Sequence, residues 1–380
     1  MAIIGASIVL PDRVVEGQAL LIEAGRIVGL AAPDALPAGC ARHDLDGGWL
    51  LPGFIDTQVN GGGDILFNDR PDVAGIGMIA AAHRRSGTTG LLPTVISDYP
   101  DVIDAAIAAG EDAIAQAMPG VLGVHVEGPH LNPAKKGIHD QDRLSPISDR
   151  LIARLMSPGL GRRIVTLAPE LAPPGTIRAL NKAGVRVSAG HSMAGYEQTL
   201  AALAEGLAGF THLFNAMVPM TGREPGMVGA ALEDRATHFG LIVDGVHVHP
   251  ATLRIALMAR GVEGAMLVTD AMPPVGGKNA HFSLMGTPVS VVDGTCRGPD
   301  GTLAGSALSM VDALRNTIDL LGQDMVVASR MASGNPARFL GLGHETGAIA
   351  AGLRADLVHL DAAMRVTATW ISGLREDHPS

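Results

Sequence analysis

Cysteine and aromatic residues are scarce in this 380-residue chain. Its two cysteines, Cys40 and Cys296, cannot build a disulfide framework and lack the CxxC spacing of a zinc or redox site, so a reducing, cytoplasmic compartment is expected. Phe, Trp and Tyr together make up 3% of the residues, which leaves few stacking platforms for single-stranded nucleic acid. Basic residues are outnumbered to a net charge of −10, which argues against a general phosphate-backbone binder. An anionic ligand must therefore meet a local cluster of positive groups. Long apolar runs are missing too. The uncharged stretch from Gly206 to Gly222 holds His212, Asn215 and Pro219, which a lipid-facing helix would expel. The opening MAIIGASIVLPDRVVEG has no cationic leader and breaks at Pro11-Asp12-Arg13, so neither a membrane span nor a signal peptide is expected.

What is present is a dense globule, 47% hydrophobic, long enough for one large α/β domain with an appendage or for two to three ordinary domains. Eight short β-rich runs alternate with Ala-rich helical stretches: 51–60, 88–97, 121–128, 164–170, 185–192, 208–216, 239–248 and 265–271. Amphipathic segments such as 73–85, 100–117 and 250–260 lie between them, each long enough for a crossover. Eight β/α units predict a closed (β/α)8 TIM-type barrel. No Gly-rich phosphate loop follows the first run, so a doubly wound nucleotide-binding sheet is disfavoured. Residues 1–50 and 343–380 carry further β-type segments and are expected to pair as a small β-sandwich flanking a barrel of 51–342. The stretch 276–300 is expected to be an inserted β-hairpin or lid.

Barrels of this kind carry their chemistry at the C-terminal ends of the strands. The runs end in Gln58 and Asn60, Glu127, Glu170, His191, His212, Asp244 with His247, and Asp270. Glu127, His191 and His212 form a donor set suited to a hydrolytic divalent metal, with Asp270 placed as a general base. Each histidine alone is more often structural than ligating; their joint placement reverses that balance.

The segments PGFIDTQVNGGGD, GVHVEGPHLNPAKKGIHD, SAGHSMAGYEQ, THLFNAMVPMTGREPGMVGAAL, IVDGVHVHP, LVTDAMPPVG and GTLAGSALSM occur in order between about residues 46 and 340. The chain resembles the N-acetylglucosamine-6-phosphate deacetylase family of the amidohydrolase superfamily. The resemblance implies Glu127, His191 and His212 as ligands of one divalent metal, Zn2+ or Fe2+, and Asp270 as catalytic acid/base. It implies that His139 polarises the acetamide carbonyl. Ile138, His139, Asn215, Ala216, Arg223, His247, Leu303, Ala304 and Gly305 are implied at the amino-sugar phosphate. Gln58 and Asn60 replace the paired imidazoles with which many amidohydrolases build a second metal position, so they are expected to serve as hydrogen-bonding supports of a mononuclear site. The implied reaction is hydrolysis of N-acetylglucosamine 6-phosphate to glucosamine 6-phosphate and acetate, in amino-sugar catabolism or cell-wall recycling.

Two alternatives stay open. The galacto epimer would use the same machinery, and a metal-free scaffold would have lost it, against which the joint retention of Glu127, His191, His212 and Asp270 speaks. A homodimer is implied, with Arg223 reaching the neighbouring site. Lys135 and Lys136 read as solvated charges or as a share in attracting phosphate, and Glu170 as a structural carboxylate or a member of the site. His125, His130 and His249 read as structural.

Overall fold

A computed structural model describes residues 1–378. Eight strands line one sheet in chain order: β1 (Phe54–Val59), β2 (Thr88–Ile96), β3 (Gly123–Glu127), β4 (Arg162–Leu167), β5 (Arg186–Ala189), β6 (Gly209–Phe210), β7 (His238–Leu241) and β8 (Ala265–Leu267). Every neighbouring pair is parallel. Beyond β8 the chain returns to β1 through a parallel bridge between Val59 and Ala271, with Asp270 N donating to Gln58 O at 3.0 Å and Asn60 N to Ala271 O at 2.9 Å. The sheet is thus closed, and the fold is a (β/α)8 barrel.

Helices follow the strands where the amphipathic stretches predict them, among them Val73–Arg84, Pro100–Ala115, Thr176–Lys182, Tyr196–Ala204 and Pro250–Arg260. Their starts carry local signals. Asp72 caps the first by accepting from Gly75 N at 2.6 Å, and Ser148 caps Asp149–Met156 by accepting from Leu151 N at 3.2 Å. Pro100 and Pro250 open their helices, where a missing N–H costs nothing.

The two ends of the chain form two further sheets. One holds Ala2–Ile4, Ala19–Glu23, Arg26–Ala31 and Arg42–Asp44; the other orders Leu374–Asp377, Val366–Ile371, Leu357–Leu360, Trp49–Pro52, Ser7–Val9 and Val14–Val15. The second sheet serves two cores. Ile8, Leu50 and Leu357 pack with Trp370 inside the sandwich, while their neighbours Val9, Leu51 and Val358 face the barrel core. Period-two alternation therefore sends successive apolar residues to opposite apolar sides, and the segment reads as a continuous hydrophobic run. This explains one boundary: the run beginning at Leu51 joins the end of a terminal strand to the first barrel strand, which starts at Phe54.

The insertion is a three-stranded antiparallel meander, His281–Leu284, Thr287–Val292 and Thr295–Arg297, one strand more than a hairpin. Leu284, Val289 and Cys296 pack on Leu66, Ile96 and Met272, so it seats beside the barrel mouth.

Candidate active site

A polar layer inside the barrel supports the mouth. Asp56 and His125 lie two residues before Gln58 and Glu127, hence on the same inward face of β1 and β3. His125 Nε2 is 2.8 Å from Thr166 Oγ1, which is 2.6 Å from Thr211 Oγ1. Asp56 Oδ1 accepts from Gln58 N at 3.1 Å, and its Oδ2 accepts from Thr269 Oγ1 at 2.5 Å. Complete burial pushes the Asp56 carboxyl up to about 7.

Above this layer the chain leaves its strands abruptly. His191, His212 and Asp270 have φ of 49°, 31° and 52°, left-handed conformations that cost a non-glycine residue on the order of 1 kcal/mol or more. Each lies just past a strand end, where the turn throws the side chain across the barrel axis.

His212 Nε2 lies 3.0 Å from Glu127 Oε1, His191 Nε2 3.3 Å from the same oxygen, and the two imidazole nitrogens 3.0 Å from each other. His191 Nδ1 is 2.8 Å from the carbonyl oxygen of Lys135, which places a proton on Nδ1 and leaves the lone pair on Nε2. Three electron-pair donors this close repel one another unless a cation or proton lies among them. Their spacing suits a divalent ion with bonds of about 2.0–2.2 Å to nitrogen and oxygen. His139 also falls in a looser group with Glu127 and His191, ligand atoms within 4.8 Å of one another. His212 completes the tighter triangle, and Ser97 engages His139. Burial opposes the Glu127 charge, but the two imidazoles facing Oε1 outweigh it and hold the carboxyl well below its usual range. At His212 burial opposes the charged form, and the Glu127 contact overcomes it, raising the imidazole.

Asp270 sits beside the triangle. Its Oδ1 accepts from Asn60 Nδ2 at 2.6 Å and from Gln58 Nε2 at 3.1 Å; the same Gln58 nitrogen is 3.1 Å from Glu127 Oε1. Both amides thus present N–H groups to the carboxylates. Burial, then the neighbouring Glu127 charge, pushes Asp270 above the usual carboxylate range. His139 Nδ1 is 2.8 Å from Ser97 Oγ and 3.4 Å from Ser97 N. Since a backbone N–H only donates, Nδ1 is the acceptor and the ring proton resides on Nε2. Burial, then the His191 charge, pushes His139 down to about 3, so it is neutral near pH 7.

These groups open into a cavity of about 350 Å³ lined also by Lys135, Ile138, Asn215, Ala216, His247, Leu303 and Gly305. Asp244 holds His247 through Oδ2 to Nδ1 at 2.5 Å. Gly305 has φ of 61°, and a Cβ there would lie 2.8 Å from the Asp270 carbonyl, so glycine is required. Two residues expected at the sugar phosphate do not bring a side chain into the cavity, although Ala304 lies between Leu303 and Gly305, which line it. Ala304 is fully buried against the Cys296 and Met272 cluster, and Arg223 is exposed on the loop before Gly226–Glu233, outside the cavity lining.

Glu170 binds Asn132 Nδ2 at 3.0 Å, Ser192 Oγ at 2.6 Å and Met193 N at 2.7 Å, clamping the loops beside His191 without lining the cavity. His130 is 2.8 Å from Ser145 O through Nδ1, and His249 caps Pro250–Arg260. Sequence reasoning missed Ser97, although it ends the second β-rich run and the strand-end rule would have reached it. It also missed the Lys135 carbonyl, because a backbone contact leaves no trace in residue type.

Barrel, inward carboxylate and paired imidazoles define a hydrolase of the amidohydrolase type, and the amidohydrolase family model matches residues 49–375. The chain belongs to this family. It is 42% identical over 97% of its length to N-acetylgalactosamine-6-phosphate deacetylase of Shewanella sp. (strain ANA-3), covering 94% of that protein. The crystal structure of N-acetylglucosamine-6-phosphate deacetylase from Pasteurella multocida superposes with a TM-score of 0.96 at 32% identity, over 99% of both chains. A mutant of the Mycobacterium smegmatis N-acetyl-D-glucosamine-6-phosphate deacetylase, solved in complex with N-acetyl-D-glucosamine-6-phosphate, matches with a TM-score of 0.89 at 33% identity, over 99% of this chain and 98% of that one.

Proposed function

We propose that this chain hydrolyses the acetamide of N-acetylglucosamine 6-phosphate, releasing acetate and glucosamine 6-phosphate in amino-sugar catabolism or cell-wall recycling. The observation that carries this reading is the joint arrangement of Glu127, His191 and His212 beside a buried Asp270, in a chain related over nearly its whole length to hexosamine-phosphate deacetylases. Glu127, His191 and His212 would hold one divalent ion, Zn2+ by preference, although Fe2+ suits the same donors. When bound, the ion supplies Lewis acidity and makes water acidic enough to act as a nucleophile near neutral pH. Gln58 and Asn60 point N–H groups at the carboxylates and so act as supports rather than ligands, which favours one ion per site.

Asp270 does the proton work. Its Oδ1 is held by Asn60 and Gln58, leaving Oδ2 to take a proton from the attacking water. The water oxygen bonds to the acetyl carbon, and His139 Nε2–H donates to the carbonyl oxygen as charge builds there. The C–N bond breaks as Asp270 returns the proton to nitrogen, because an amide does not expel an unprotonated amine at a useful rate. Lys135, Asn215 and His247 are placed to receive the sugar phosphate. Arg223 would enter this scheme from a second copy of the chain, since its exposed loop lies outside the cavity of its own barrel. Free cysteines at positions 40 and 296 favour a cytoplasmic enzyme, and among the described residues no helix is long and apolar enough to cross a membrane.

The Shewanella relative gives substance to a second reading, deacetylation of the galacto epimer. The two differ in one hydroxyl, so the test is kcat/KM for acetate release from both 6-phosphates with one defined metal. The gluco reading expects at least a tenfold preference for N-acetylglucosamine 6-phosphate; a tenfold preference in the other direction reassigns the substrate and leaves the chemistry intact.

A further inference from the structure

The opposite end of the barrel holds a cluster of positive charge in which two guanidinium groups lack a carboxylate partner. A cavity of about 360 Å³ opens where β5 and β7 begin, lined by Asn181, Arg186, His238 and Arg338, with Asp234 as its one acidic residue and Phe339 as an apolar wall. That volume lies at the lower end of the range for small-molecule pockets. Arg186 is half-buried at the first position of β5. Among the described residues its guanidinium has no hydrogen-bond partner and no carboxylate within 4.0 Å, and the same is true of the neighbouring Arg162 at the start of β4.

Asp234 does not neutralise them. Its Oδ2 accepts from Thr237 N at 2.8 Å and Thr237 Oγ1 at 2.5 Å, and faces Arg260 at 3.8 Å. Arg338 Nη2 is engaged by Asn335 Oδ1, by the Glu263 carbonyl at 3.2 Å and by the Glu263 carboxylate at 3.5 Å, which it shares with Arg330, leaving its other guanidinium nitrogens for a ligand. The potential shows in His238, which burial, then the charges of Arg338, Arg260 and Arg186, pushes down to about 4. Guanidinium groups are strong, planar donors whose burial beside one another is unfavourable unless an acceptor is supplied. In a chain of net charge −10 such a cluster has no general role in solubility.

We propose that this cavity is a second anion site, distinct from the barrel mouth, that binds a phosphate group, with Arg186 and Arg338 gripping the oxygens. Phosphate suits it better than a single carboxylate, because two separate guanidinium groups and the Asn181 amide offer more donors than one planar acceptor can use. The group could arrive as free phosphate or as a phosphate monoester whose organic part rests on Phe339. The inference stands apart from the deacetylase reading, since none of these residues lines the catalytic cavity.

Calorimetric titration of the metallated protein with inorganic phosphate and with glucose 6-phosphate tests the site. The expected result is an anion-binding event that Arg186→Gln weakens at least about tenfold, and Arg338→Gln by a smaller factor, while any binding at the barrel mouth persists in both variants. Tighter binding of the ester identifies an organic phosphate as the ligand; equal binding identifies the free anion. Should Arg186→Gln misfold, Arg186→Lys keeps the charge and loses the fork, and an affinity loss of about threefold or more is expected. Isotherms unchanged by Arg186→Gln, or by Arg186→Lys where only that variant folds, overturn the proposal.

Discussion

Asp270 is asked to move two protons, and its surroundings suit both transfers. Burial and the nearby Glu127 charge raise its affinity for a proton, while Asn60 and Gln58 hold one oxygen and leave the other for chemistry. Asp270→Asn preserves shape and removes the base, so kcat should fall by about a hundredfold or more while bound metal stays near the wild-type content. Measuring the two together separates a proton carrier from a metal ligand, because loss of a ligand would empty the site. At this scale much was legible: Glu127, His191, His212 and Asp270 all end β-rich runs, and barrel geometry turns that position into a shared mouth. Positions beyond the strand ends were harder to read. Ala304 and Gly305 are adjacent, yet one faces the apolar cluster under the inserted meander and the other the cavity. Side-chain direction in such a turn depends on backbone angles that residue type only weakly specifies.

Between elements, Asp56 ties β1 to the end of β8 beneath Asp270, accepting from Thr269 Oγ1 at 2.5 Å and from Gln58 N at 3.1 Å. Its carboxyl keeps its proton to about 7 in the fold, against an ordinary value of 3.8. Between those limits the folded state binds the extra proton, so this group makes stability fall as pH rises from about 4 to about 7 and adds no slope above that. Asp56→Asn presents an N–H to Thr269 Oγ1, as the protonated acid can, and should remove this contribution. Denaturation at pH 5 and pH 8 should therefore show a loss on raising pH that is smaller in the variant, by about 3 kcal/mol from the two pH units involved. Equal losses in the two chains would show that Asp56 is ionised throughout. Sequence patterns located the helices through their amphipathic periodicity between the β-rich runs. The Leu51 boundary was misplaced for a physical reason: Trp49–Pro52 and Phe54–Val59 are both apolar on two sides, and periodicity cannot divide one buried strand from the next.

At the scale of the whole molecule, one polypeptide closes a barrel from its middle and a β-sandwich from its two ends, so that the mouth is built on rigid strands with an inserted meander beside it. Eight alternating runs foretold the barrel, and ordered motifs foretold the family. The cationic cavity at the opposite end was not legible, because Arg186, His238 and Arg338 are far apart in the chain and meet only when the barrel closes. The cavity at the mouth likewise contains Lys135 and His247 but not Arg223, a distinction no linear motif could draw. Hydrolysis of the acetamide of a phosphorylated hexosamine at this mouth is the proposal on which the mechanism depends. Its most direct test is free acetate followed by NMR from N-acetylglucosamine 6-phosphate labelled in the acetyl group, beside the unphosphorylated sugar, with zinc-loaded and chelator-treated protein. Stoichiometric acetate is expected from the 6-phosphate with zinc, at least about a hundredfold less after chelation, and at least about tenfold slower release without the phosphate. No acetate from either the gluco or the galacto 6-phosphate, with zinc fully bound, would contradict it.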